Sequence, residues 1–394
     1  MTIIALDRVT HARGPLERCV GDPRAFLRDE WGHHPAIHAG VGDHFDDLLT
    51  LDDVDRFLTT TALRTPYFRL VKAGDQIPEA SYTRSGRTGS RDVDGIADPA
   101  RVAALFHDGA TIVLQGVHRW SEPVTRFTRD LELELSHPCQ VNAYVTPPGA
   151  QGLDLHEDAH DVFVVQAFGS KRWQVHAAPG EETREPFEAE INAGDTMYMP
   201  AGTPHAAAAQ HVVSGHLTVG VHVTPWREVL QGIVSKLMGS VDGSIPAAWT
   251  RDPGGFSREL RKRLRVLAEE IDHIDANEQT RVRVERWLST RAQLARGSIA
   301  ERSAPLLVVD ATVLRRRGGA ICEVRGHGDL VFVMLGDRRL EMPRWLEPAM
   351  RRIAAADVFT VEELASIVPD PESRAVLARR LILEGLLTAS DRGE

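Results

Sequence analysis

Residues 151–176, QGLDLHEDAHDVFVVQAFGSKRWQVH, carry the pattern from which the fold of this chain is read. The apolar run DVFVVQAF (161–168) is short and ends at a glycine turn, so it reads as a buried strand, and KRWQVH (171–176) as the next. Just ahead of them stands His156-Glu157-Asp158. In extended backbone, residues i and i+2 point to the same side, so His156 and Asp158 present an imidazole and a carboxylate to a common centre. Downstream, GDTMYMPAGTPH (194–205) delivers His205 through a Gly-Asp turn, a strand and a Pro/Gly turn. Two histidines and one carboxylate on one face form the triad of non-haem Fe(II) oxygenases, which leaves coordination positions open. The H-x-D spacing occurs four times in the chain, also at His44, His273 and His327. Those three fall in a GDHFDD turn, a charged helix and a GHGD turn; only His156 enters a β run with a Pro-x-Gly-x-x-His partner. The spacing alone still allows a surface His-Glu-Asp turn and an unrelated loop histidine.

Outward from this stretch, TIVLQGVH, VNAYVTP, TMYMP, AAAAQHVV and HLTVGVHVT are further short β-rich segments between about 111 and 224. Gly, Pro, Asp and Asn punctuate them, which predicts a sandwich or barrel. An amphipathic helix, VTRFTRDLELEL (124–135), interrupts the series. Lys171 opens a strand just past the AFGS turn. A lysine facing into a barrel is costly unless it meets an anion, whereas one at a turn is merely solvated. Asn142 and Tyr144, at i and i+2, share a face of the preceding strand. With Lys171 they form a set that could hold a small dicarboxylate beside the metal.

Farther out, PLERCVGDPRAFLRDEWG (15–32) reads as one helix running into a turn, and TLDDVDRFLTTTAL (50–63) as a helix capped by Thr50. SYTRSGRTGSRDVDG (81–95) reads as an exposed loop, either a plain surface excursion or a flap over a site. From 225 to about 300 the pattern turns helical, with Leu260, Leu264, Leu267 and Ile271 on one stripe between dense charges. Such a helical pair suits a homodimer interface, or else packs on its own chain. In 301–394, PLLVVDATV, AICEVRG and DLVFVML read as strands. A helix opened by a Thr360–Glu363 capping box, a second helix (372–390) ending near Gly385 and a last strand give a winged-helix outline. Acidic residues outnumber basic ones from Arg344 to Glu394, so DNA reading is not expected there. The expected division is 1–110, an N-terminal α/β part of the catalytic domain; 111–240, the barrel core; 241–300, a helical dimerisation region; and 301–394, a winged-helix-like domain. The fold class is mixed α+β.

Composition narrows the functional classes. The chain has 394 residues with net charge −10, which disfavours a general nucleic-acid coat. No apolar run approaches the ~18 residues of a membrane span, and the N-terminus lacks a leader-like pattern. Three cysteines far apart make no disulfide framework or thiolate zinc site and suit a reducing cytoplasm.

The motif N-x-Y-x-T-P-P-x-x-Q-G-x-x-x-H-x-D, the lysine after the turn, and G-D-x-x-Y-x-P-x-G-x-x-H occur in order between Asn142 and His205. In this the chain resembles the JmjC-type 2-oxoglutarate oxygenases of the cupin superfamily, and within them the ribosomal oxygenases. The resemblance implies a double-stranded β-helix (jelly-roll) core, Fe(II) bound by His156, Asp158 and His205, and 2-oxoglutarate and O2 as co-substrates. It further implies that Lys171 pairs with the distal carboxylate of 2-oxoglutarate in a pocket lined by Asn142 and Tyr144. The activity it implies is hydroxylation of a protein or peptide side chain, a ribosomal-protein His or Arg, with release of succinate and CO2. Three positions depart from or vary within the pattern. Glu157 stands where human relatives usually carry Tyr, Gly220 where their pocket has a serine, and several bacterial relatives use Arg in place of Lys171. Alternative readings are a lysine demethylase, a hydroxylase of a small molecule, a zinc cupin isomerase, and a non-enzymatic cupin/winged-helix regulator. The acidic residues Asp154, Glu157, Asp158 and Asp161 would suit a basic polypeptide.

Overall fold

The structure, a computed structural model, describes residues 13–40, 44–177, 185–239, 241–291, 298–303 and 307–390. The chain divides into two compact units, Met1–Thr224 and Pro225–Glu394. This division places the helix that begins at Trp226 in the second unit, beyond the barrel segment with which it was grouped above.

In the first unit, α1 (Pro15–Val20) and α2 (Pro23–Asp29) stand where a single helix was expected. Gly21 takes φ +75°, which ends the helical ladder, and Asp22 restarts it by accepting from Arg24 N and Ala25 N. After β1 (Ala36–His38), α3 (Leu51–Thr60) begins at a complete Thr50–Asp53 capping box. β2 (Phe68–Lys72) and β3 (Asp75–Gln76) follow. The Ser/Gly/Arg stretch is not an open loop: it pairs as an exposed antiparallel hairpin, β4 (Thr83–Thr88) and β5 (Arg91–Ala97), turning at Gly89 with φ +60°. Pairing satisfies backbone groups that a loop would leave to water. Next come α4 (Pro99–His107), β6 (Thr111–Leu114), α5 (Glu122–Leu135) and β7 (Cys139–Thr146). The unit closes with β8 (Asp161–Phe168), β9 (Ser170–Val175), β10 (Phe187–Asn192), β11 (Thr196–Met199), β12 (His205–Ala209) and β13 (Ser214–Val221).

These strands form a large sheet, ordered β1-β11-β8-β13-β7-β6-β2-β3, and a small one, β10-β9-β12. The strand pairs within both are antiparallel. Alternation assigns the two faces of the large sheet. Phe163 and Val165 on β8, Leu217 and Val219 on β13, and Val141 and Ala143 on β7 pack with the helices in one core. Val162 and Val164, one residue out of phase, join Trp173, Val175, Ile191, Met197 and Met199 in a second core between the sheets. This is the jelly-roll arrangement, with Asn142, Tyr144, His216 and Thr218 on the residue parity that faces the small sheet.

The second unit begins with α6 (Trp226–Met238), α7 (Pro253–Asp272) and α8 (Ala276–Ser289), none of which buries a residue. Leu260, Leu264 and Ile271 of the apolar stripe are exposed. After α9 (Ser298–Ser303), the expected strand at 305–313 is mostly absent. Its first two residues lie outside the described ones, and a turn closed by Thr312 N on Val309 O delays pairing until β14 (Val313–Arg316). β15 (Glu323–His327), β16 (Leu330–Met334) and β17 (Arg339–Pro343) make one sheet; α10 (Glu347–Ala355) follows, and β18 (Val358–Thr360) and β19 (Leu387–Ser390) flank β14 in another. The Thr360–Glu363 capping box forms but opens only a 3-10 turn, Val361–Leu364, before α11 (Pro371–Leu383).

Candidate active site

The segment carrying His156 and Asp158 is not a regular strand. It runs antiparallel beside β12, held by Gly152 N to Ala207 O (3.3 Å) and by a two-way bridge between the backbones of His156 and His205 (3.1 and 2.8 Å). The bridge sets the two imidazoles side by side, 4.5 Å between ring centroids. Asp158 O accepts from Gly202 N (2.7 Å), and Gly202 turns with φ +76°. The turn is anchored from below: buried Asp161 accepts from Tyr198 OH (2.5 Å) and Ala201 N (3.0 Å). Asp161 is thus committed to the fold and is not part of an exposed acidic surface, while Asp154 and Glu157 are exposed.

His156, Asp158 and His205 each offer a ligand atom, and these atoms lie within 4.8 Å of one another. His156 Nδ1 is 2.8 Å from Asp154 O and His205 Nδ1 is 2.9 Å from Thr203 O. Each Nδ1–H therefore donates to a carbonyl, which leaves each Nε2 lone pair free for a cation. Burial pushes the His205 pKa down, which keeps its ring neutral and ligating. The donor set fits a divalent transition metal of the Fe(II) kind. Glu157 is exposed.

Lys171, Trp173 and Val175 share the inward face of β9, with Arg172 and Gln174 outward. Lys171 is 2% exposed, and no carboxylate pairs with it among the described residues. Burial alone pushes its pKa down to about 7. It borders one cavity with His156, Asp158, His205, Tyr144 and His216. A buried lysine without a carboxylate partner, bordering a cavity beside three clustered side chains that could hold a metal, suits that cavity to an anion. Tyr144 lies in the lining. Asn142 does not: its Oδ1 accepts from Gly116 N (2.9 Å), so it braces the neighbouring turn. The space a serine would need at Gly220 is filled by the His160 ring, 2.8 Å from where a Cβ would stand. His216 and Trp173 were missed from sequence. Their signal was present in the two-residue alternation that puts Lys171 with Trp173, and His216 with Thr218.

The JmjC domain family matches residues 118–229. Ribosomal oxygenase 1 of Danio rerio is 28% identical over 199 residues, 46% of this chain and 35% of that protein. The human protein of the same name is 28% identical over 232 residues, 54% of this chain and 35% of its own length. The bifunctional lysine-specific demethylase and histidyl-hydroxylase NO66 of Dictyostelium discoideum is 25% identical over 216 residues, 50% of this chain and 40% of that protein. The aligned part of this chain thus spans little more than a third of these curated relatives. The ribosomal oxygenase YcfD of Escherichia coli is similar in fold, with TM-score 0.52, 19% identity, and coverage of 94% of this chain and 98% of that one. Its complex with cobalt and 2-oxoglutarate aligns with TM-score 0.51 and 19% identity, covering 93% of this chain and 98% of that one. The matched segment carries strands β7 to β13, the clustered His156, Asp158 and His205 and the buried Lys171, so residues 118–229 form a JmjC domain.

Proposed function

We propose that this chain is an Fe(II)- and 2-oxoglutarate-dependent oxygenase that hydroxylates a side chain of a protein or peptide. The observation that carries the reading is Lys171, a buried lysine without a carboxylate partner among the described residues, bordering the same cavity as His156, Asp158 and His205. In this reading those three residues hold Fe(II), and the bound metal supplies activation of O2 for insertion into a C–H bond, coupled to conversion of 2-oxoglutarate to succinate and CO2. The carbonyls of Asp154 and Thr203 keep both imidazoles in the ligating tautomer. Lys171 pairs with the distal carboxylate, Tyr144 walls the pocket, and Asn142 holds the turn beside it. Val162, Val164 and Trp173 exclude water from the inner end of the cavity.

The relatives named ribosomal oxygenase and histidyl-hydroxylase support a ribosomal-protein histidine as the target, with arginine as the other residue in this reading. The exposed carboxylates Asp154 and Glu157 beside the cluster suit a basic polypeptide. The exposed apolar stripe of α7 supports a homodimer, the order β18, α11, β19 in the second unit supports a winged-helix-like domain, and the acidic excess from Arg344 to Glu394 counts against nucleic-acid binding there. None of the described helices is long and apolar enough to cross a membrane, and the three free cysteines suit a cytoplasmic protein.

The test is an anaerobic titration of Fe(II)-loaded protein with 2-oxoglutarate, following the visible metal-to-ligand charge-transfer band. The band is expected to grow in for the wild type and to weaken or vanish in His156→Ala and Lys171→Ala. A wild type that binds metal and shows no band refutes the oxygenase reading in favour of a sensing or isomerase cupin.

A further inference from the structure

His216 lies on β13 and borders the same cavity as Lys171. It is 3% exposed. Its ring stacks on Tyr144, with centroids 5.2 Å apart and planes 7° apart, and meets the edge of Trp173 at 5.4 Å. No hydrogen bond reaches either ring nitrogen from the described residues, and Nδ1 is sealed off while Nε2 is not. Burial first, then nearby Lys171 and His205, push the His216 pKa well below its ordinary value, so the ring is neutral and carries one proton. A sealed N–H without an acceptor is the costlier orphan, and orphaned lone pairs are better tolerated. The proton therefore sits on Nε2, toward the cavity. The walls nearby are largely apolar, with Val162, Val164 and Trp173, so a polar ring there is unexplained by packing.

We propose that His216 is a second donor for the distal carboxylate of the co-substrate, so that one carboxylate accepts from Lys171 Nζ and from His216 Nε2–H. The inference rests on the oxygenase reading above and adds a positioning residue to it. The two donors divide the work by charge. Lys171 supplies the cation that a buried carboxylate requires. A neutral imidazole adds a directed hydrogen bond without a second positive charge, which burial would resist. Stacking on Tyr144 holds the ring in place, so little rotamer entropy is lost when the bond forms. The pair would select 2-oxo acids that carry a second carboxylate at the far end.

The experiment is calorimetric binding of 2-oxoglutarate and of 2-oxobutyrate to the full-length Mn(II)-loaded protein. 2-Oxobutyrate keeps the chelating 2-oxo acid and lacks the distal carboxylate. His216→Phe preserves the stacked ring and removes the donor. It is expected to weaken 2-oxoglutarate about tenfold and to leave 2-oxobutyrate unchanged, the loss of one hydrogen bond to a charged group. His216→Gln, which restores an N–H donor, is expected to recover part of that loss. Equal weakening of both ligands, or no weakening of either while Lys171→Ala abolishes the preference for 2-oxoglutarate, overturns the role of His216 alone. A wild type that binds both ligands equally overturns the oxygenase reading and this inference with it. If His216→Phe does not fold, wild type and His216→Gln carry the comparison: Gln must retain a preference for 2-oxoglutarate that is smaller than the wild type's.

Discussion

The unpaired, buried Lys171 should make co-substrate binding a proton-linked event. In the free site burial holds its pKa at about 7, against 10.5 for a solvated lysine. At pH 8 roughly nine in ten molecules therefore carry a neutral amine there. A bound dicarboxylate supplies the missing negative charge and raises the pKa, so binding above pH 7 takes up a proton. The sign follows: affinity is full below the free-site pKa and falls as pH rises through it, toward tenfold per unit. Between pH 7 and pH 9 the dissociation constant of 2-oxoglutarate should rise about 50-fold if the bound ammonium stays protonated throughout. The assay is calorimetry of the Mn(II)-loaded protein in buffers of different ionisation enthalpy, which reads affinity and proton uptake together. 2-Oxobutyrate corrects for hydroxide competing at the metal. Lys171→Arg should flatten the profile, because a guanidinium does not titrate in this range. A wild-type affinity that is flat from pH 7 to 9 without proton uptake, with Lys171→Ala still losing affinity, refutes the reasoning.

Three other outcomes follow from the packing. Asp161→Ala removes the acceptor of the Tyr198 O–H, whose oxygen still accepts from Gly32 N, and of Ala201 N under the turn that delivers His205. It should cost the first unit about 2–3 kcal/mol in urea unfolding and weaken Mn(II) binding without touching a ligand. Leu381→Ala, fully buried in the core of the second unit, should cost that unit about 2–5 kcal/mol and leave the 2-oxoglutarate dissociation constant unchanged. Leu260→Glu with Leu264→Glu places charges on the exposed stripe of α7. If the chain dimerises through that stripe, light scattering should report a monomer with unaltered co-substrate binding, and a dimer that persists rejects that interface.

The features legible in sequence were those set by local rules. Thr50 and Asp53 cap α3 because a side-chain oxygen three residues from a backbone N–H needs no help from elsewhere. The barrel strands were legible because burial on both faces demands short β-branched runs. The H-x-D and Pro-x-Gly-x-x-His segments were legible because each is contiguous. Other features depend on partners distant in the chain. Residues 81–95 look like a loop by composition, yet they pair with one another as a hairpin, since backbone hydrogen bonding outweighs weak β propensity. The sequence suggested that His156 and Asp158 share a face of a strand. What aligns them is the backbone bridge to His205, 49 residues later. Asp161 read as part of an acidic surface, and only the position of Tyr198 under the turn makes it a buried anchor.

By itself, then, the sequence marked out a sandwich or barrel of short strands, the candidate residues His156, Asp158 and His205 and the lysine between them, because each is written in a short, contiguous pattern. Tertiary structure alone decided that Lys171 lacks a counter-charge, that Asn142 braces a turn and does not line the cavity, and that His216 faces the same space. Those facts depend on which strands become neighbours and in what register, and register is set by the packing of the whole sheet, beyond the reach of any local stretch of residues.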